Sequence, residues 1–294
     1  MIPKDIIKKL RKIQITTSKD VMEVFSGHYQ SVFKGSGLEF DEVREYLPGD
    51  EIRSIDWNVT ARMGRPFMKK FVEERELTVI FILDVSMSTK FGTRNMTKNT
   101  LAAEVCSTLA FSAISNNDKV GMITFTDRVE KYIPPRKGIK HVMQIVREAL
   151  YSKPEGNGTD INKVLEHFNL VTKRRAIVFL ISDFMAPDFK DLLKTANRRH
   201  DLVAISVTDP SELSLPRAGI VYVHDAERGD FTTVNTNSRR IRNIYEERAK
   251  SFILGRQKYF QSASVDNIDL YTDKSYVEPL IKFFKVREKR RRRI

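Results

Sequence analysis

Five apolar residues, Val79 to Leu83, run into a carboxylate, Asp84, in the stretch "VIFILDVSMST", and hydroxyls follow at alternate positions, Ser86 and Ser88. A second carboxylate, Asp183, closes the apolar run "RRAIVFLIS", and the loop "EGNGT" ends on Thr159. These are oxygen ligands with no thiol or imidazole among them. Such a set suits a hard divalent cation: Mg²⁺, or a similar ion such as Mn²⁺, takes octahedral oxygen ligands and needs only one or two carboxylates. The Asp-x-Ser-x-Ser spacing lets one tight loop turn alternate side chains toward a common point, and Gly156 and Gly158 let the second loop bring Thr159 close. Because Ser86, Ser88 and Thr159 are neutral, a bound cation keeps much of its charge and can accept a carboxylate from a partner. A plainer reading stands beside this one. An Asp after a strand is commonplace, and Ser or Thr there often caps the next helix. Taken singly, Thr159 and Asp183 read as cap or turn residues; the three loops taken together read as a metal site.

Those loops need strands that end side by side. From Leu77 onward, "LTVIFILD", "KVGMITFT", "RRAIVFLISD", "DLVAISVTD" and "NIDLYT" read as strands, separated by segments with helical spacing such as "TKNTLAAEVCSTLAFSAISN" and "TDINKVLEHFNLV", the latter capped by Thr159 or Asp160. "AGIVYVHDAERGDFTTVNT" reads as a hairpin turning at Arg228-Gly229, and "YVEPLIKFFKVREK" as a closing helix. Continuous apolar runs joined by helices call for an α/β fold, a doubly wound, mostly parallel sheet with helices on both faces. In such sheets ligands sit outside the carboxyl ends of the strands, where strand order reverses. Residues 77–281 are assigned to this domain. Residues 1–76 are expected to be an N-terminal extension packed on it, with surface helices between Ile2 and Phe25 and an exposed strand in "RPFMKKFVEERE". Within the extension, Arg44, Glu45, Asp50, Arg53, Asp56 and Trp57 read either as an exposed binding edge or as a buried ion-pair network; the second is preferred, because such mixed charges pair locally and Trp57 has apolar neighbours to pack on.

The composition, 41% hydrophobic and 30% charged, is that of a soluble globular protein. "MIPKDIIKKLRKIQ" lacks the apolar core of a secretory signal, and the single cysteine, Cys106, lies in an apolar helical pattern and excludes an internal disulfide; both point to the cytoplasm. The formal charge of +13 is concentrated at the end: residues 282–294 carry eight basic residues and one acidic, and are set apart as a basic tail. Such a run is usually solvated, but it could touch nucleic acid or an anionic membrane surface.

"DVSMS", "GNGTDI" and "ISD", in this order on this alternating scaffold, resemble the three loops of a von Willebrand factor type A domain. The resemblance implies a metal-ion-dependent adhesion site made of Asp84, Ser86, Ser88, Thr159 and Asp183. The stretch "GLEFDEVREYLPGDEIRSIDWNVTARMGRPFMKKFVEERELTVIFILDVSMSTKFG" is similar to the signature of domain-of-unknown-function family fifty-eight, bacterial proteins linked with MoxR-type AAA+ ATPases. The likeness runs from about Gly27 to Pro210. Thr89 stands where that pattern leads one to expect Met, and the membrane helices that precede this region in longer relatives are not found, so a membrane anchor is not implied.

The reading that results is a non-enzymatic interaction module whose Mg²⁺ takes an acidic group from a protein partner, the implied partner being a MoxR-type AAA+ ATPase or its client. A Mg²⁺-dependent phosphatase is the first alternative, but such an enzyme needs a second Asp where this chain has Ser86, and a serine does not shuttle protons near neutral pH. No Walker loop, GxGxxG after a strand or nucleophile elbow occurs, and His28, His141, His167, His200 and His224 are scattered without metal spacing. Binding of nucleic acid or an anionic surface through the basic tail is the second alternative; no nucleic-acid reading module is present, and no specific nucleic acid is expected.

Overall fold

In a computed structural model the described residues are 29, 32, 39–47, 50–52, 55–72, 76–93, 96–186, 188–224 and 231–291. The expected helices between Ile2 and Phe25, Arg53, and the hairpin turn at Arg228-Gly229 lie outside them. The chain divides into two compact units, one of residues 33–77 and one that joins residues 1–32 to 78–294.

The smaller unit is a two-stranded antiparallel ribbon, β1 (Glu39–Glu45) against β2 (Phe67–Val72), with one short helix, α1 (Trp57–Met63), between them. Asp56 caps α1 by accepting the N–H groups of Asn58 and Val59, and Gly64, at φ 70°, ends it in the left-handed region that glycine enters without strain. The charged stretch pairs locally as expected: Arg44 grips Asp50 through two 2.8 Å hydrogen bonds, and Arg65 reaches Glu45 at 3.0 Å. Trp57 departs from expectation. It is 66% exposed, and none of the residues of its short helix is buried.

The larger unit is built on a six-stranded sheet of order β10-β7-β6-β3-β4-β5. Its strands are β3 (Thr78–Asp84), β4 (Lys119–Phe125), β5 (Val129–Arg136), β6 (Ile177–Ser182), β7 (Asp201–Thr208) and β10 (Asp266–Tyr271). All pairings are parallel except that of β4 with β5. Pro134 and Pro135 sit in β5, the edge strand, where its register with β4 shifts, so their missing N–H groups cost the ladder little. Strands β3, β4, β6 and β7 are buried on both faces, which is why they read as unbroken apolar runs.

Alternate strand residues point to opposite faces. Ile80, Ile82, Val178, Leu180 and Ala204 share one hydrophobic cluster with α4 (Ile161–Val171), α5 (Lys190–Arg199) and Phe260 of α6 (Arg239–Ser262). Helix α2 (Lys98–Ser115) packs against the strands and against α3 (Ile139–Tyr151), and α7 (Val277–Arg291) packs on β10. The fold class is therefore the expected one, doubly wound α/β. Two details differ. Tyr29 and Val32, from the segment assigned to the N-terminal extension, are fully buried within the larger unit. Lys282 marks no boundary: it lies inside α7, whose Leu280 and Phe284 are buried and whose Arg287 pairs with Asp201 and Asp266. The β8 (Ile220–His224) and β9 (Phe231–Asn235) hairpin forms as an antiparallel pair.

Candidate metal-ion site

Strand order reverses between β3 and β6, and Asp84 and Asp183 stand at the carboxyl ends of these two strands. Leu83 is in register with Ile181, so Asp84 and Ser182 come level across the reversal. The Ser182 hydroxyl donates to Asp84 Oδ2 at 2.6 Å, and the Ser86 N–H donates to Oδ1 at 2.9 Å. Each strand thus holds one oxygen of a carboxylate that is 1% exposed. Burial, and then the charge of Asp183, push the Asp84 carboxyl up to about 7, against the opposing pull of its hydrogen bonds from Ser182 and Ser86.

The hydroxyls continue the cluster. Ser86 Oγ and Ser88 Oγ lie 3.1 Å apart, and Ser88 donates to Asp183 Oδ2 at 2.8 Å. Neighbouring oxygens on an octahedral Mg²⁺, each ~2.0–2.1 Å from the ion, are about 2.9 Å from one another. The Ser86–Ser88 and Ser88–Asp183 oxygen pairs are close to that spacing. The plainer capping role fails for Ser86, whose side chain caps nothing although the 3₁₀ turn Met87–Lys90 follows it. It fails for Thr159 as well, because Asp160 caps α4 by accepting the Lys163 N–H at 3.1 Å.

The loops are fixed from several sides. Thr89, buried, donates its hydroxyl to Ser86 O at 2.7 Å, so the threonine found in place of methionine braces the turn. The Met87 N–H donates to Asn157 O at 3.2 Å and joins the loop of Thr159, itself half-buried, to the Asp84–Ser88 loop. Gly156 is needed for close approach: a Cβ there would lie 1.9 Å from Asp127 Oδ1 and 2.2 Å from Thr126 Oγ1. Gly158 is under no such demand, its Cβ meeting Asp127 only at an ordinary 3.8 Å. After Asp183 the chain turns through Phe184, at φ 59°, a backbone state costly for a bulky residue and held here by the buried ring against Phe189 and Phe260.

Sequence reasoning did not single out the cations at this site. Lys98, 1% exposed, donates to Asp183 Oδ2 at 2.7 Å and to Glu212 Oε1 at 2.5 Å. Burial pulls the ammonium pKa down, but the charges of Asp183 and Glu212 outweigh that and leave it raised. Arg256, buried on α6, donates to Asp183 O at 3.2 Å and pairs with Asp269 at 3.0 Å. A signal for Lys98 was present: a lysine in the first turn sits at the unfavourable end of the helix dipole, so a buried one needs an acid to hold it.

Arg256 is matched by Asp269, and Lys98 stands between the carboxylates of Asp183 and Glu212. Among the described residues no three His, Cys, Asp or Glu side chains gather at metal-binding range, so a cation here rests on two carboxylates and on hydroxyls. That donor set fits Mg²⁺ or Mn²⁺ and does not fit a soft metal. His141, His167 and His200 are engaged elsewhere, with Val120 O and with the rings of Tyr132 and Phe168.

The model of a family described as "Protein of unknown function DUF58" matches residues 42–252. The chain belongs to the DUF58 family. Similar to this DUF58 chain are "Uncharacterized protein Mb1516" of Mycobacterium bovis and "Uncharacterized protein Rv1480" of Mycobacterium tuberculosis, each 26% identical over 277 residues, 93% of this chain and 87% of the relative. Among solved structures, the DUF58 chain is similar to BatB from Bacteroides thetaiotaomicron, at 17% identity and a TM-score of 0.47, covering 72% of this chain and 99% of that one. The "SpRpn10 VWA domain" aligns at 8% identity and a TM-score of 0.41, covering 70% and 94%. No helix among the described residues is long and apolar enough to cross a membrane.

Proposed function

We propose that this DUF58 chain is a protein-interaction module that uses a divalent cation, Mg²⁺ or Mn²⁺, to accept an acidic side chain from a partner. Asp84, Ser86, Ser88, Thr159 and Asp183 would hold the ion, and the bound ion would supply an open coordination position. The observation that supports this reading is the linked set Asp84, Ser86, Ser88 and Asp183 at the point where strand order reverses. Ser182 and the Ser86 N–H orient the Asp84 carboxylate, Thr89 braces the turn, and Lys98 and Arg256 fix Asp183 from behind.

The role is non-enzymatic on the same grounds. A phosphatase of the type considered above needs a proton-shuttling acid two residues after Asp84, and Ser86 stands there. The partner proposed is a MoxR-type AAA+ ATPase in the cytoplasm, on the strength of the family resemblance in the charged stretch that precedes β3. Affinity capture tests both halves of the reading. Wild type in Mg²⁺ is expected to retain the ATPase, whereas wild type in EDTA and Asp84→Asn in Mg²⁺ are expected to lose it. Equal capture in all three arms would remove the cation from recognition and leave the charged N-terminal stretch as the better candidate.

A further inference from the structure

We infer that Lys98 is a tethered counter-cation that stands in for part of the metal charge and sets how tightly the site takes a divalent ion. The inference rests on the metal-site reading above. Its starting point is an oxygen with too many claimants. Asp183 Oδ2 accepts the Ser88 hydroxyl at 2.8 Å and the Lys98 ammonium at 2.7 Å. A divalent ion drawn to Ser88 and Asp183 must therefore share or displace the ammonium's hold on that oxygen.

The ammonium has somewhere to go. Glu212 Oε1 lies 2.5 Å from Lys98 Nζ, and the Glu212 carboxylate is itself fixed, because its Oε2 accepts the Asp209 N–H at 2.9 Å. Asp209 is held in turn by the Thr93 N–H and hydroxyl, the Thr272 hydroxyl and the Ser211 N–H. Glu212 is thus a prepared second seat, on the 3₁₀ turn Pro210–Glu212 that follows β7. Lys98 is fully buried at the start of α2, so water cannot replace either carboxylate. In the metal-free protein Lys98 neutralises Asp183 and keeps the two strand-end loops together. When a divalent ion arrives, Lys98 gives up its hold on Asp183 and keeps Glu212, and the affinity of the site is what remains after this exchange. Lys98 is a positioning and affinity-setting residue and is not itself a ligand.

Two substitutions move the balance in opposite directions. Lys98→Met removes the competing charge and is expected to tighten Mg²⁺ binding by about tenfold or more. Glu212→Gln withdraws the second seat, leaves Asp183 as the ammonium's charged partner, and is expected to weaken Mg²⁺ binding several-fold. Isothermal titration with Mg²⁺ and with Mn²⁺ reads both, after circular dichroism shows that each variant is folded; if Lys98→Met does not fold, Glu212→Gln alone decides. A side-chain ¹⁵N NMR signal from the Lys98 ammonium, absent in Lys98→Met and shifted on Mg²⁺ saturation, reads the exchange directly. Wild-type affinity in the folded variants, or an ammonium signal that Mg²⁺ leaves unmoved, would overturn the role of Lys98 while the metal site stands. If wild type takes up no divalent ion but Lys98→Met does, the lysine replaces the metal altogether; its role is upheld and the metal-dependent recognition fails. If no form binds a divalent ion, both ideas fall.

Discussion

At the scale of single residues, the chain keeps a carboxylate where stability alone would not put one. Asp84 is buried, faces Asp183, and has its carboxyl raised to about 7, above the ~3.8 of an exposed aspartate. The folded state therefore holds this proton more tightly than the unfolded chain. Stability contributed by the neutral form is complete below about pH 4 and is lost as pH rises through 7, by on the order of 4 kcal/mol. Asp84→Asn keeps the size and removes the charge. It is expected to raise the melting temperature in EDTA at pH 8 and, on the proposed role, to lack the rise that Mg²⁺ is expected to give wild type, both readable by differential scanning calorimetry. A variant less stable than wild type in EDTA at that pH would count against the argument. Asp209 runs the other way. Burial would raise its carboxyl, but hydrogen bonds from Thr93, Thr272 and Ser211 overcome this and lower it to about 2. Its contribution is present above the unfolded value and is lost as pH falls from about 4 to 2. Asp209→Asn should therefore flatten acid unfolding in that window and cost about 2 kcal/mol at neutral pH.

At the scale of elements, the site depends on loops from neighbouring strands keeping their spacing. The Thr159 loop passes so close to the β4–β5 turn that Gly156 has no room for a side chain. Gly156→Ala must displace Asp127 or break the Thr126–Glu130 hydrogen bond, 2.6 Å in the native chain, which is expected to cost about 1–3 kcal/mol and to loosen the loop. Chemical denaturation measures the first effect and a weaker Mg²⁺ response the second; Gly158→Ala is the matched control that should do little. The closing helix offers a second test. Phe284 of α7 is fully buried, so Phe284→Ala is expected to cost about 3–5 kcal/mol, as a core aromatic would and a solvated tail would not.

At the scale of the whole molecule, residues far apart in sequence share one core. Tyr29 is buried in the larger unit, with its phenol raised first by burial and then by the charge and hydrogen bond of Asp118. Tyr29→Ala is expected to destabilise that unit by about 3–5 kcal/mol, and a chain that begins at Thr78 is expected to melt below the full chain even though it keeps every strand of the central sheet. The sequence by itself determined the strands, because a strand buried on both faces must be apolar throughout, and "VIFIL" and "AIVFLI" could be little else. It also determined the hydroxyl and carboxylate set, since Asp84, Ser86 and Ser88 are contiguous and Asp183 closes an apolar run. The strand β1 and helix α1 were not legible, being short and held by local caps and ion pairs that composition does not reveal. Lys98, Ser182, Glu212 and Arg256 were hidden for a different reason. Each carries an ordinary residue type in an ordinary element, and its meaning lies in the partner across the fold: Lys98 stands 85 residues before Asp183, and Ser182 stands 98 after Asp84. Only the packing of β3 beside β6, with α2 and the turn after β7 closing over their ends, brings those charges within hydrogen-bond reach. A sequence records which groups are present; the low dielectric and short distances that give a buried lysine its effect exist only once the chain has folded.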